Sequence, residues 1–340
     1  MTPAPVRVLA SFPPPRPTTN PYIVMLARAL ESTDGVQLQY FAYRTALLGR
    51  YDVMHVHWPE ILVDGHSPVK KAARQALFAL LLLRLALTRT PVVRTVHNLA
   101  LPEGISGVQR TLLRAFERLT THRIRVNTST ELPAGQSAST IPHGHYRDWF
   151  AAYPEPAAVP GRFGYVGLIR RYKGTEALVD AFGDLDGAAW SLVVAGRPSS
   201  PELARTLTDA AARDPRIRTR LAFLTDAELV EVVGTSALVV LPYRHMHNSG
   251  GALTALSLDR PVLVPDNTVN RRLAEEVGDP WVQLFDGDLT AEDLVAAMAA
   301  VADLPADARP ALTDRDWAGA GPAHLAAYRE ALARRSSLSR

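Results

Sequence analysis

Three stretches of this chain bring together residue types that do chemistry. The first, Phe163 to Gly174 (FGYVGLIRRYKG), reads as a short buried strand that ends in Gly167 and opens into Arg170, Arg171 and Lys173 ahead of a helix. Strand, glycine turn, cations and helix in that order form an anion cradle. Backbone N–H groups and the positive end of the helix dipole point at one spot, where Arg offers a planar fork and Lys a point charge. A solvated basic turn before an ordinary helix would use the same residues. The second stretch, Leu241 to Pro261 (LPYRHMHNSGGALTALSLDRP), follows a similar scheme: a strand ends at Leu241, and Asn248, Ser249, Gly250 and Gly251 open a helix. Glycines admit a ligand close to the backbone, and Asn and Ser add amide and hydroxyl groups, although Ser249 also suits a plain N-cap. Two such helix N-termini facing one cleft would make a diphosphate site.

The third group is imidazole-rich. His55, His57, Trp58, Pro59 and Glu60 (HVHWPE) follow one strand, and His97 with Asn98 (VHN) follows another. His55 and His57 share a face in extended structure, but no third and fourth ligand stands at a zinc spacing, so no metal site is expected. His97 suits a general base or a hydrogen bond to substrate. Glu60 and Glu103 are the carboxylates nearest these clusters, and His143 and His145 (IPHGHY) stand where a hinge would bring them near the same site.

Positioning these groups falls to an alternation of strand and helix patterns. Strands are expected at Val6–Ala10, Val36–Ala42, Val53–Val56, Pro91–Val96 and Arg123–Asn127, with helices at Pro21–Leu30, 70–88 and Val108–Leu119. From Ile141 to Gly161 prolines and alanines replace the periodicity, which reads as an interdomain linker. A second series follows. It has strands at Phe163–Val166, Trp190–Ala195, Ile217–Phe223, Ala237–Leu241 and Pro261–Val264, and helices near 174–182, 201–213, 226–233, 250–257 and 271–277. Helices near 290–303 and 320–335 close the chain. Such alternation implies α/β architecture with two doubly wound parallel sheets, whose ligands bind beyond the carboxyl ends of the strands.

Composition narrows the function classes. The 340 residues suffice for two domains, and 37 Lys+Arg against 34 Asp+Glu leave +3, too little to argue for nucleic acid. The chain has no Cys, which removes disulfides and thiolate metal sites and fits a reducing, cytoplasmic setting. The first residues, MTPAPVRVLASFPPPRP, lack the apolar core of a signal peptide. Ala76 to Leu87 (ALFALLLLRLAL) is strongly apolar, but it is far shorter than the ~20 residues that span a bilayer. Two readings stand for it: a buried helix of the first domain, or a helix that rests, through 70–89 with Lys70, Lys71, Arg74, Arg84 and Arg89, on the inner face of an anionic membrane.

Together, VHN after a strand, IPHG before the linker, VGLIRRYKG, VVAGRP and NSGGALTALSLDRPVLVPD resemble a GT-B nucleotide-sugar glycosyltransferase over nearly the whole chain. The resemblance implies two Rossmann-like domains facing a central cleft: an acceptor domain at 1–150, a donor domain at 160–318, and a helix at 319–340, containing Tyr328, that packs back on the first domain. It implies that Gly167, Arg170 and Lys173 meet the donor diphosphate, with Leu168 where the family usually has Arg. Asn248 to Gly251 would cap the diphosphate, Gly196 and Arg197 would line the nucleoside pocket, and His97 would lie near the acceptor or the transferred sugar. His55, Trp58, Asn98 and His143 fall on the acceptor side.

Many retaining members carry two glutamates eight positions apart around the late glycine turn; here those positions are Met246 and Thr254. The pattern HWPE, then NSG with ALSLDRPVLVPD, looks more like bacterial polysaccharide mannosyltransferases (glycosyltransferase group 1), some of which use GDP-mannose and invert. An inverting enzyme needs a base, and Glu60, His57 and His97 are the candidates. The implied reaction moves a sugar, mannose from GDP-mannose, to a glycan or lipid-linked acceptor without a required cofactor or metal. The absent carboxylate pair leaves two alternatives, a regulatory subunit that only binds the sugar nucleotide and a nucleotide-sugar epimerase of the same fold.

Overall fold

The computed structural model describes residues 4–98, 101–102, 104–244, 246 and 250–337. The chain divides into two compact units, 1–144 with 315–340, and 145–314. The first unit runs β1 (Val6–Ala10), α1 (Pro21–Glu31), β2 (Val36–Gln39), α2 (Tyr43–Leu48), β3 (Val53–Val56), α3 (Pro59–Leu62), α4 (Pro68–Thr88), β4 (Val92–Val96), α5 (Gly107–Leu119), β5 (Thr120–Arg125) and β6 (Ala138–Thr140). The second runs α6 (Arg147–Phe150), β7 (Arg162–Val166), α7 (Thr175–Gly183), β8 (Ser191–Ala195), α8 (Pro201–Arg213), β9 (Ile217–Arg220), α9 (Asp226–Thr235), β10 (Leu238–Val240), α10 (Gly250–Ser257), β11 (Val262–Pro265), α11 (Thr268–Val277), β12 (Val282–Phe285) and α12 (Ala291–Val301). The last helix, α13 (Trp317–Ser337), belongs to the first unit, where it packs on α1, β4 and β5.

Each unit is built on a six-stranded sheet, in order β2-β1-β3-β4-β5-β6 and β12-β11-β10-β7-β8-β9. Every pairing is parallel. Central strands of such sheets are covered on both faces, so they read as continuous apolar runs. All of Val53–Val56 is buried, as are Phe163 to Val166. Strand order reverses between β1 and β3 in the first unit and between β7 and β10 in the second. These are the switch points where crossovers diverge and leave room for a ligand.

Helix ends are set locally. Ser67, Ser106, Thr225 and Thr290 cap α4, α5, α9 and α12, the last three in full capping boxes. Several expectations shift. The strand from Val36 stops at Gln39 because Tyr43 starts α2, whose turn is pinned by Tyr51 Oη donating to the Ala46 carbonyl. The strand expected from Arg123 begins at Thr120, directly after α5. The short edge strand β6, the strand β12 and the single-turn helices α3 and α6 carry no periodic signal. The proline-rich stretch read as a linker is packed rather than free: Tyr146 and Phe150 are buried in the second unit, and the Tyr146 N–H donates to Ser257 Oγ at 2.8 Å.

Candidate active site

In the second unit, the loops after β7 and β10 meet at the switch point. Lys173 closes a 3₁₀ turn after β7, and its Nζ lies 3.2 Å from the Tyr243 hydroxyl and 4.7 Å from the ring centroid of the same residue. Burial, with Arg170 as a second cause, pulls the ammonium down to about 8. Tyr165 at the end of β7 donates to the Leu168 carbonyl, 3.2 Å away, which stiffens the turn. Arg170 and Arg197 are exposed at this end of the sheet. Arg171 points elsewhere, pairing with Glu202 at 2.7 Å and lying 3.8 Å from Glu176. It is therefore no anion ligand in this conformation.

Glycines let the two loops of this end interlock. Gly167 donates to Ala195, and Ile169 to Arg197. A Cβ on Gly196 would lie 1.7 Å from the Gly167 carbonyl oxygen, so only glycine permits this approach. Gly174, in the left-handed region at φ 67°, begins α7; a Cβ there would lie 2.1 Å from the Pro242 carbonyl oxygen. Gly250 and Gly251 open α10; among the described residues the nearest atom to a Cβ on Gly250 is Tyr146 Oη, 3.6 Å away. Asn248 and Ser249 lie outside the described residues.

Sequence reasoning did not identify the supports of this loop. Asn267 Nδ2 donates to the Met246 carbonyl at 3.2 Å, while the buried Asn270 donates to Pro265 O at 2.8 Å and reaches the Met246 sulfur at 3.5 Å. Met246, the first of the two positions set against the paired glutamates above, is thus held by two asparagines. Asn267 also caps α11, which is the only local signal these residues give.

In the first unit the histidines gather at the ends of β3 and β4. The His57 N–H donates to Ser11 Oγ at 3.1 Å, which fixes His57 at the β1/β3 switch point. His57 Nδ1 and His97 Nε2 share a hydrogen bond of 3.2 Å. Trp58 stacks on His97, with centroids 4.3 Å apart and planes at 17°. His55 is bonded at both nitrogens, to Thr95 Oγ1 and to the Tyr328 hydroxyl, each at 2.8 Å. It is thus a core residue held by α13. His143 lies 4.4 Å from the Tyr22 ring and bonds the Gly144 carbonyl; a Cβ on Gly144 would strike Trp317, which explains the glycine of IPHG. His145, also buried, falls in the second unit.

Burial keeps these rings neutral. It drives His55 and His57 well below the ordinary imidazole value, with neighbouring imidazoles adding to the effect, and brings His97 to about 3 and His143 to about 4. His57 Nε2 is buried and has no hydrogen-bond partner among the described residues, so an acceptor-competent or donor-competent nitrogen is left for a ligand. Glu60, half-buried in the first turn of α3, moves the other way: burial raises its carboxyl above the usual range, and Arg94 offsets part of that. Asn98 is exposed, and its carbonyl accepts from Arg94 at 3.3 Å. Glu103 lies outside the described residues.

α4 buries one apolar face in the first unit and leaves another open. Phe78, Leu81, Leu82 and Leu85 are buried, and the opposite face leaves Leu80 (52% exposed), Leu83 (56%) and Leu87 (75%) in the open. Arg84 is turned inward, donating to the carbonyls of Ala46 and Gly49 and lying 4.7 Å from the Tyr51 ring centroid, so it is not a surface cation. No helix among the described residues is long and apolar enough to cross a membrane.

Comparison with known proteins gives these features a family. No family model matches the chain. Two curated relatives from Xanthomonas campestris pv. campestris, each a GDP-mannose:glycolipid 4-beta-D-mannosyltransferase, are 45% and 44% identical over 327 residues, 96% of this chain and 93% of theirs. Among solved structures, Anabaena Alr3699/HepE in complex with UDP superposes with a TM-score of 0.62 at 14% identity, covering 98% of this chain and 99% of that one. WaaG, a glycosyltransferase involved in lipopolysaccharide biosynthesis, gives 0.54 at 13% identity, covering 96% and 98%. With its two parallel six-stranded sheets, the chain is a GT-B glycosyltransferase and belongs to the family of these GDP-mannose:glycolipid mannosyltransferases.

Proposed function

We propose that this chain transfers mannose from GDP-mannose to a lipid-linked glycan, the second unit holding the donor and the first the acceptor. The observation that carries this reading is the 45% identity, over 96% of the chain, to a GDP-mannose:glycolipid 4-beta-D-mannosyltransferase. Lys173 and Arg170, with the N-terminal turns of α7 and α10, stabilise the leaving diphosphate, so that no metal is required for this role. Gly196 and Arg197 border the nucleoside, and Asn248 to Gly251 cap the phosphates.

A β-mannoside formed from an α-linked donor requires inversion. The acceptor oxygen attacks the anomeric carbon, the bond to the diphosphate breaks, and the hydroxyl proton passes to a base. Among the candidates Glu60 suits this best. A buried imidazole near 3, as at His97, holds a proton poorly at neutral pH, whereas burial raises the carboxyl of Glu60 toward the working range. His57 and His97 then orient the acceptor, with Trp58 as a stacking surface. The exposed apolar face of α4, with Lys70 at its first turn, supports peripheral contact with the inner membrane face where a lipid-linked acceptor resides.

Calorimetry with GDP, UDP, ADP and dTDP tests the donor assignment. GDP is expected to bind tightest, and GDP-mannose is expected to turn over only with acceptor present, unchanged by a chelator. Binding to none of the four would remove the diphosphate reading, and isomerised sugar without acceptor would point to epimerisation instead.

A further inference from the structure

α13 lies on the first unit through small side chains: Ala320, Ala327 and Ala331 are buried with Leu325. Apolar burial has no direction, so a smooth alanine surface holds a helix without fixing its rotation or register. Hydrogen-bonded groups must supply both. Tyr328 is one, bonded to His55 at 2.8 Å. Glu330 is the other. It stands two residues on, about 200° around the helix, and its Oε1 accepts from Ser137 Oγ at 2.7 Å beside the edge strand β6. The Ser137 bond also holds the Glu330 carboxyl below the usual range, so it is ionised. From this carboxylate the direction of each proton follows. A carboxylate only accepts, so the Ser137 hydroxyl proton goes to Glu330. Ser137 Oγ then accepts from His122 Nδ1, 2.7 Å away, which places the ring proton there. Burial holds His122 below the ordinary imidazole value, so its Nε2 is left to accept from Ser139 Oγ at 2.9 Å. Ser137 and Ser139, two apart, reach the ring from one face of the edge strand.

We propose that the line Glu330–Ser137–His122–Ser139 is a positioning device for acceptor binding: it sets the register of α13, and α13 sets the imidazole cluster at the ends of β3 and β4. The helix meets that cluster at three points. The Trp317 ring centroid lies 5.6 Å from that of Tyr22, whose ring also meets His97 and His143. His324 lies 5.5 Å from His55. Tyr328 bonds His55, which lies 4.4 Å from His57. A turn or slide of α13 therefore reaches His57, whose buried Nε2 is the nitrogen left for a ligand. The role of this cluster in acceptor binding comes from the transferase reading; the coupling of Glu330 to His57 does not depend on it.

The test compares the full-length wild type with Glu330→Ala, Glu330→Gln, Tyr328→Phe and the double variant Glu330→Ala/Tyr328→Phe. Ring-nitrogen NMR of the ligand-free protein reads the tautomers of His122 and His57. Mannose transfer to octyl β-D-glucopyranoside, a glycolipid surrogate, reads acceptor KM. Glu330 is exposed, so its variants leave no buried charge behind. Glu330→Ala is expected to shift the signals of both histidines and to raise acceptor KM about fivefold, with kcat and GDP affinity unchanged. Glu330→Gln keeps an acceptor for Ser137 and should restore the wild-type spectra and KM. Tyr328→Phe should also raise acceptor KM about fivefold, and the double variant no further, in place of the ~25-fold rise of independent effects. Signals that move at His122 but stay at the wild-type position for His57 overturn the proposal, since the line is then only a local brace. A double variant with multiplied effects, or a loss in Glu330→Ala that Glu330→Gln does not restore, overturns it as well. Octyl glucoside left untouched by the wild type counts against the transferase reading alone, and the His57 spectra still decide the coupling.

Discussion

Lys173 sits half-buried against Tyr243 with its ammonium near 8, so its charge is available at neutral pH and fades just above it. A cation that binds diphosphate must be protonated, and donor affinity should therefore fall as pH rises through 8 and beyond. Lys173→Arg is expected to remove that dependence because guanidinium stays charged, and Lys173→Ala to lower turnover by about 10²–10³ at every pH. Donor affinity that is flat from pH 7 to 9.5 in the wild type would count against the role. The base is a separate question. Glu60→Gln should reduce kcat by about 10²–10⁴ while leaving GDP affinity unchanged. His97→Gln, which removes an orienting ring, should act mainly on acceptor KM. If Glu60→Gln turns over normally, the proton goes elsewhere.

At the scale of elements, the donor end depends on two loops that interlock through glycine. Gly196 and Gly250 look alike in sequence, each following a strand end and standing next to cleft residues, yet they face different surroundings. Gly196→Ala would force a Cβ to 1.7 Å from a carbonyl oxygen and should cost about 3 kcal/mol in urea unfolding. Gly250→Ala meets nothing closer than 3.6 Å among the described residues and should keep its stability, so a loss of donor affinity there reports on the ligand. Equal stability of the two variants would show that the loops relax freely. Strand and helix positions were largely readable from apolar runs and 3.6-residue periodicity. The single-turn helices and the short strands β6 and β12 were not, since a few residues carry too little period to stand out.

Across the first unit as a whole, the buried histidines tie stability to pH. His55, His57, His97 and His324 are all held below the unfolded value of about 6.5 by burial, His97 to about 3 and His324 to about 4. Below about pH 6.5 the unfolded chain takes up protons that the folded chain refuses. Stability is therefore complete above about 6.5 and is lost as pH falls toward 4, by roughly one proton per histidine. Thermal melts should show Tm falling through that window, and His324→Phe should flatten the slope. A Tm independent of pH between 6.5 and 4.5 would mean that the rings are reached by water and protonate in the folded state.

The sequence by itself determined the alternation of strands and helices, the glycine turn with its cations after β7, and the helix-opening glycines of α10. Each of these rests on local propensity or on a period repeated within a few residues. The tertiary structure alone decided which of the named residues work together. His55 meets Tyr328 across 273 positions, Lys173 meets Tyr243 across 70, and Arg84 turns inward to the carbonyls of α2 and its flank rather than outward. Asn267 and Asn270 gave no sign that they hold Met246. Such pairings follow from strand order and from which helix covers which face. A chain reveals those only when distant segments are brought to the same switch point, because no local pattern encodes a neighbour that far away.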